Sequence, residues 1–160
     1  MNLSRTIVAG VAGTTAMTLY SYVLSELKNK NFKEPRLLAT LLYRLLPLKK
    51  DSSGVTGWLL HYSVGILFAL IYNAILRKRR IQNPAAQGAM IGAVSGIAAV
   101  LIWETSFRLH PAPPAVDYKR YYGQLVIAHI IFGTVAILVL AGKIRKTKNL
   151  TVQPVTAIEP

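Results

Sequence analysis

Cysteine is absent from the 160 residues, and acids are scarce: six Asp and Glu stand against nineteen Lys and Arg. Without Cys the chain has no disulfide framework and no redox thiol. Charged residues of both signs make up only 16%, where a soluble domain carries about 25%, while apolar residues reach 52%. These shortages exclude a disordered chain, a secreted disulfide scaffold and an ordinary soluble enzyme. Catalytic signatures are missing too. There is no His-Glu-x-x-His, no haem-attachment motif, no phosphate loop ending in Gly-Lys-Ser or Gly-Lys-Thr, and no Gly-x-Ser-x-Gly elbow. The glycine ladder near residue 90 follows no strand and so is not a phosphate cradle. The expectation is a non-enzymatic protein.

What is present is apolar sequence in long runs. Four windows lack Lys, Arg, Asp and Glu altogether: about 6–24, 57–76, 85–103 and 121–142. A bilayer core of about 30 Å needs about 20 such residues in a helix. One charge at its centre costs on the order of 2.5–3.5 kcal/mol on the insertion scale. The reading is an all-α integral membrane domain over 1–148 with four transmembrane helices, followed by a short flexible tail at 149–160. The first window is too long for a signal-peptide core and lacks a cleavage site of small residues, so it reads as a retained helix.

Basic residues set the orientation. Nine lie at the N-terminus, the second loop and the C-terminal flank; ten lie in the first and third loops. The raw count is indecisive, but positive-inside bias acts through short loops near helix ends. Arg77, Lys78, Arg79 and Arg80 form one such cluster, and Lys143, Arg145 and Lys146 belong to another. Both termini are therefore expected in the cytoplasm. These clusters abut apolar spans and lack interleaved aromatics, so membrane lipids rather than nucleic acid are the expected partners.

The long first loop contains a further element. Leu37, Leu38, Leu41, Leu42, Leu45 and Leu46 recur at spacings of four, between Pro35 and Pro47. Residues 36–46 would reach only about 16 Å as a helix, too short to span. The pattern predicts an amphipathic helix lying in the membrane interface, or else packed on an unidentified protein partner.

The spans share two patterns. Gly88, Gly92 and Gly96 form a ridge on the third, and Thr6, Gly10, Thr14 and Thr18 a looser one on the first. The second and fourth carry His-x-x-x-Gly, as His61…Gly65 and His129…Gly133. A small-residue helix followed by a His-x-x-x-Gly helix, used twice, predicts two parallel-repeat hairpins. The glycine ridges suit close packing, either within the chain or along the seam of a homo-oligomer.

Several polar groups are expected together at the outer ends of the spans: His61, His129, Glu104, His110, Asp117 and Tyr121. The stretch Pro111-Ala112-Pro113-Pro114 is stiff, because proline fixes φ, and is expected to fold over the helix ends as a cap. Intramembrane ionisable residues are functional candidates by default. Four roles compete for them: interhelical hydrogen bonds that lock the bundle, proton or small-solute handling, a metal site, and axial ligation of non-covalent haem by His61 and His129. The leading expectation is a proton- or solute-handling protein in transport or acid and envelope stress, with no cofactor. A metal- or haem-binding protein and a structural assembly partner are the alternatives.

Three stretches carry a family likeness: His61, Phe68, Ala69 and Tyr72; Gln87, Gly88 and Gly92; and Ser106, Phe107, Leu109, Pro113, Pro114, Asp117, Tyr121 and His129. Residues 57–135 resemble in these positions the YagU-like bacterial inner-membrane proteins, a family defined by an uncharacterised domain. The resemblance implies a bacterial inner-membrane location and an α-helical polytopic fold. It supplies no reaction, substrate or cofactor, and does not extend to the first 56 residues.

Overall fold

A computed structural model of the chain describes residues 3–46, 50–77 and 82–151, with side chains for 3–46, 54–77 and 82–142. Among the described residues there are five helices and no strand: α1 (Leu3–Lys28), α2 (Glu34–Leu45), α3 (Lys50–Arg77), α4 (Pro84–Leu109) and α5 (Tyr118–Thr151). All of α1, α3 from Gly54, all of α4, and α5 as far as Gly142 are long and apolar enough to cross a membrane, with mean hydropathies of 1.4, 1.8, 1.8 and 2.5.

Local chemistry fixes the helix ends. Asn29 adopts φ 52°, and the amides of Asn29 and Lys30 donate back to the carbonyls of Glu26 and Ser25. This is a Schellman stop built on asparagine, which tolerates the left-handed conformation better than most residues. At the start of α4, Asn83 Oδ1 accepts from the Ala86 amide at 3.1 Å and Pro84 takes the first helical position. Each spanning helix outruns its apolar window. The last one continues to Thr151, into the segment expected to be a flexible tail. Lys78, Arg79, Arg80, residues 152–160 and the side chains of Lys143, Arg145 and Lys146 lie outside the described residues.

The bundle is inside-out by the standards of a soluble protein. Val8, Leu19, Val23, Leu67, Val94 and Ile97 face outward, while Thr6, Thr14, Thr18, Ser21 and Ser25 of α1 are buried. In water that distribution would expose a large apolar surface and bury hydroxyls, both unfavourable. In lipid it is the expected one, because tight packing of small residues replaces the hydrophobic drive between helices.

That packing is carried by the glycines read from the sequence. A Cβ at Gly10 would stand 2.7 Å from Ile66 Cα, and one at Gly65 would collide with Thr14 Oγ1. On the other pair, a Cβ at Gly92 would collide with the His129 carbonyl oxygen, and one at Gly133 with the Gly88 carbonyl oxygen. Gly96 presses on Val126 in the same way. In each hairpin the small-residue ridge therefore lies against the His-x-x-x-Gly helix. The ridges are used within the chain, so these glycines offer no seam to the expected homo-oligomer.

The spanning helices form a row in the order α3, α1, α5, α4. Its two ends, α3 and α4, share no extended contact. They meet where the Tyr72 hydroxyl and the Ser95 hydroxyl hydrogen-bond. A cleft is left between them above that point.

The leucine-rich helix behaves differently from expectation. It begins at Glu34 rather than residue 36 and docks into the bundle instead of lying flat at its surface. Leu37 and Leu41 are buried in a cluster with Phe32, Ala99, Phe107, Tyr121 and Leu125, and of its leucines only Leu45 and Leu46 at the far end are exposed. Close approach to α3 is possible because Gly57 faces it: a Cβ there would collide with the Pro35 carbonyl oxygen. The space that accepts α2 is the upper part of the cleft between α3 and α4.

Candidate functional site

Below α2, the cleft narrows to a cavity of about 150 Å³. Its polar lining comes chiefly from three helices: Glu34 of α2, His61 of α3 and His129 of α5. Phe68, Phe132 and Trp103 contribute three aromatic rings to the remaining, mostly apolar wall. Two of the six residues expected to cluster, His61 and His129, are thus brought to one cavity. The other four are not part of it. The carboxylate that is present, Glu34, is not one that the sequence singles out.

Glu34 is 1% exposed. Ser21 Oγ donates to its Oε1 at 2.7 Å, and Gln124 Nε2 donates to the same oxygen at 3.2 Å. Oε2 is buried without a partner. Among the described residues no Lys, Arg or His forms an ion pair with Glu34. The two nearest cations in sequence are engaged elsewhere. Lys33 pairs with Glu26, and both Lys33 and Arg36 lie over the Tyr22 ring. Burial raises the Glu34 pKa to about 7, against the opposing pull of the Ser21 and Gln124 hydrogen bonds. The group is therefore poised between acid and carboxylate at neutral pH.

The imidazoles are oriented by their own bonds. His129 Nδ1 lies 2.9 Å from the Leu125 carbonyl oxygen. A carbonyl only accepts, so Nδ1 carries the proton and Nε2 of the neutral ring is an acceptor. Its ring stands edge-on to Phe68, at 6.0 Å and 76°. His61 Nε2 shares a hydrogen bond of 2.9 Å with Thr18 Oγ1. Thr14, also on the cavity wall, has a buried hydroxyl with no partner.

The remaining candidates have separate employment. Glu104 pairs with Arg108 one turn along α4, on the surface. Asp117 meets Lys30 at 3.6 Å and Arg120 at 3.4 Å. His110 is a clamp. Its Nδ1 accepts from the Ala112 amide at 3.0 Å, so Nε2 bears the proton and donates to the Leu41 carbonyl oxygen at 3.1 Å. Arg44 adds bonds to the carbonyls of Ala112 and Pro113. These bonds tie the stiff proline loop to the end of α2. Tyr121 is fully buried in the aromatic cluster with Trp103 and Phe107, and its hydroxyl has no partner.

For a metal, three or more suitable side chains must converge, and among the described residues no group of three His, Asp or Glu does so. For axial haem ligation the two cavity imidazoles are the only pair the described residues bring to one cavity.

Glu34 is hidden in the sequence because it sits in a charged stretch, Glu26 to Arg36, that reads as a solvated loop. The signal that could reveal it lies elsewhere. Ser21 and Gln124, polar residues on two spans, are the partners that a buried carboxylate needs.

Four apolar helices crossing a bilayer, an inside-out surface and glycine-mediated packing define a polytopic α-helical membrane protein. No protein-family model, curated protein or solved structure matches the chain.

Proposed function

We propose that this is an inner-membrane protein of bacteria, with both termini in the cytoplasm, that handles protons or a small solute through the cavity shared by Glu34, His61 and His129. The carrying observation is the buried carboxylate with an unpartnered oxygen in the same cavity as two imidazoles. Structural polar groups inside a membrane bundle normally satisfy one another. Glu34 Oε2 and Thr14 Oγ1 do not, which favours a site held open for something else. The inner-membrane location rests on the resemblance of residues 57–135 to YagU-like proteins, and the orientation on the density of basic residues near helix ends. In this orientation the cavity lies toward the outer leaflet, where external acid would reach it first, and an acid- or envelope-stress role follows.

The test is reconstitution into liposomes with an internal pH dye and an imposed pH gradient. Wild-type protein should accelerate proton or coupled-solute flux. Glu34→Gln and His129→Asn should each reduce it by at least roughly tenfold, the scale expected when an essential proton carrier is removed, while Glu104→Gln, on the surface, leaves it unchanged. Equal flux in wild type and both cavity variants would make the cluster purely structural.

A further inference from the structure

We propose that the cavity is a binding site for a lipophilic organic cation, a molecule with a substituted ammonium head and an apolar tail, admitted sideways from the bilayer between α3 and α4. This names the solute class for the function proposed above and rests on that reading.

Charge is the first argument. Among the described residues Glu34 is a buried carboxylate without a cationic partner, and its neighbours Lys33 and Arg36 are held outside over Tyr22. An ionised carboxylate in such a place is costly unless it is paired. A ligand bringing its own positive charge supplies what the described residues do not. The walls favour the same chemistry, because aromatic faces attract cations more strongly once water is excluded. Phe68, Phe132 and Trp103 put three aromatic rings in the lining. His129 makes its bond to the Leu125 carbonyl and His61 its bond to Thr18 with one ring proton each, so neither ring needs a second, charging proton to hold its place.

Shape is the second argument. The cavity is open where α3 and α4 part, and its rim residues Val64 and Ile102 are 40% and 61% exposed. A second apolar recess of about 320 Å³ shares Leu38, Leu41 and Ser106 with the first and continues along α2 toward Leu109. A head at Glu34 and a tail along this leucine-lined recess would remain in apolar surroundings throughout. The inferred route never crosses the exposed basic side chains of Lys28, Lys30, Lys119 and Arg120, which would repel a cation arriving through water.

Binding a fixed cation stabilises the carboxylate form of Glu34, so it must expel a proton when Glu34 is protonated. The titratable groups around Glu34 are Tyr22 of α1, His61 of α3, and Tyr121 and His129 of α5, with Arg36 on α2 itself.

The experiment uses the full chain in lipid nanodiscs, with benzyldimethyloctylammonium as the probe and the uncharged N-octylbenzamide as its control. Calorimetry in buffers of different ionisation heat reads affinity and proton release together. The expected result is preferential binding of the cation, release of up to one proton, and an affinity that falls roughly tenfold between about pH 8 and pH 6 through Glu34. Glu34→Gln keeps the Ser21 and Gln124 bonds possible and should lose at least roughly tenfold in cation affinity, together with all proton release. Ile102→Trp, on the lipid-facing rim, should weaken binding without unfolding. If the neutral control binds as well as the cation, or the cation binds equally to Glu34→Gln, the cation assignment is overturned. Failure of both probes to bind overturns it as well. The liposome flux comparison then decides separately whether the cavity handles protons.

Discussion

Glu34 and Gly92 show how single residues are set by opposite demands. Glu34 is an acid whose proton is held more tightly in the folded chain than at the ordinary value of 4.5, because burial disfavours its charge. Between pH 4.5 and about 7 the folded state therefore binds more protons than the unfolded state. The contribution of this group to stability is fully present below pH 4.5 and is lost as pH rises through about 7. The change is on the order of 3 kcal/mol, because each tenfold difference in proton affinity between the two states is worth about 1.36 kcal/mol. Unfolding in detergent should accordingly become easier from about pH 5 to about pH 8, and Glu34→Gln should flatten that slope. A slope that persists in the variant would assign it to other groups. Gly92 is set by space alone. Replacing it with Val would push a side chain into the His129 backbone. A loss of about 1–3 kcal/mol is expected from overpacking, together with displacement of the His129 ring from the cavity, measurable as a changed imidazole chemical shift.

Among the helices, α2 decides the site. Its leucine face has the pattern of an interfacial stripe, yet it enters the bundle because α3 and α4 leave room and Gly57 lets its backbone approach. His110 and Arg44 then hold its far end to the proline loop. The absence of native Cys makes this checkable with single reporters. A cysteine replacing Leu37 should resist maleimide in the native bundle. Adding Gly57→Leu, which forces a large side chain against the Pro35 carbonyl, should make it reactive. Equal reactivity in both would place α2 at the surface after all. In His110→Ala, the Leu41 carbonyl and Ala112 amide lose their common partner, and a cost of about 1–3 kcal/mol is expected from leaving them unsatisfied. It should be seen as faster hydrogen exchange across α2 with α1 and α5 unaffected.

For the molecule as a whole, an even number of crossings puts both ends on one face of the membrane. A cysteine placed among residues 78–81, between α3 and α4, should resist a membrane-impermeant label in intact cells, while one placed near Lys30 should react. Labelling of residues 78–81 from outside would invert the orientation and turn the cavity toward the cytoplasm. The row α3–α1–α5–α4 also shows why a two-hairpin sequence pattern does not make a symmetric molecule. α1 packs on α5, but the corresponding contact between α3 and α4 is opened, and α2 occupies part of the gap.

The surrounding solvent and the number of crossings are written in the chain itself. Exclusion of charge over about 20 residues is a local property, so four spans, their small-residue ridges and the His-x-x-x-Gly pairs can be read one segment at a time. Which polar groups meet is settled by folding alone. Glu34 comes to line one cavity with His61 and His129 through the fold-back of α2, and its hydrogen-bond partner Gln124 lies 90 residues away in sequence. Burial, not residue type, gives that carboxylate its character, and burial is a property of the assembled bundle.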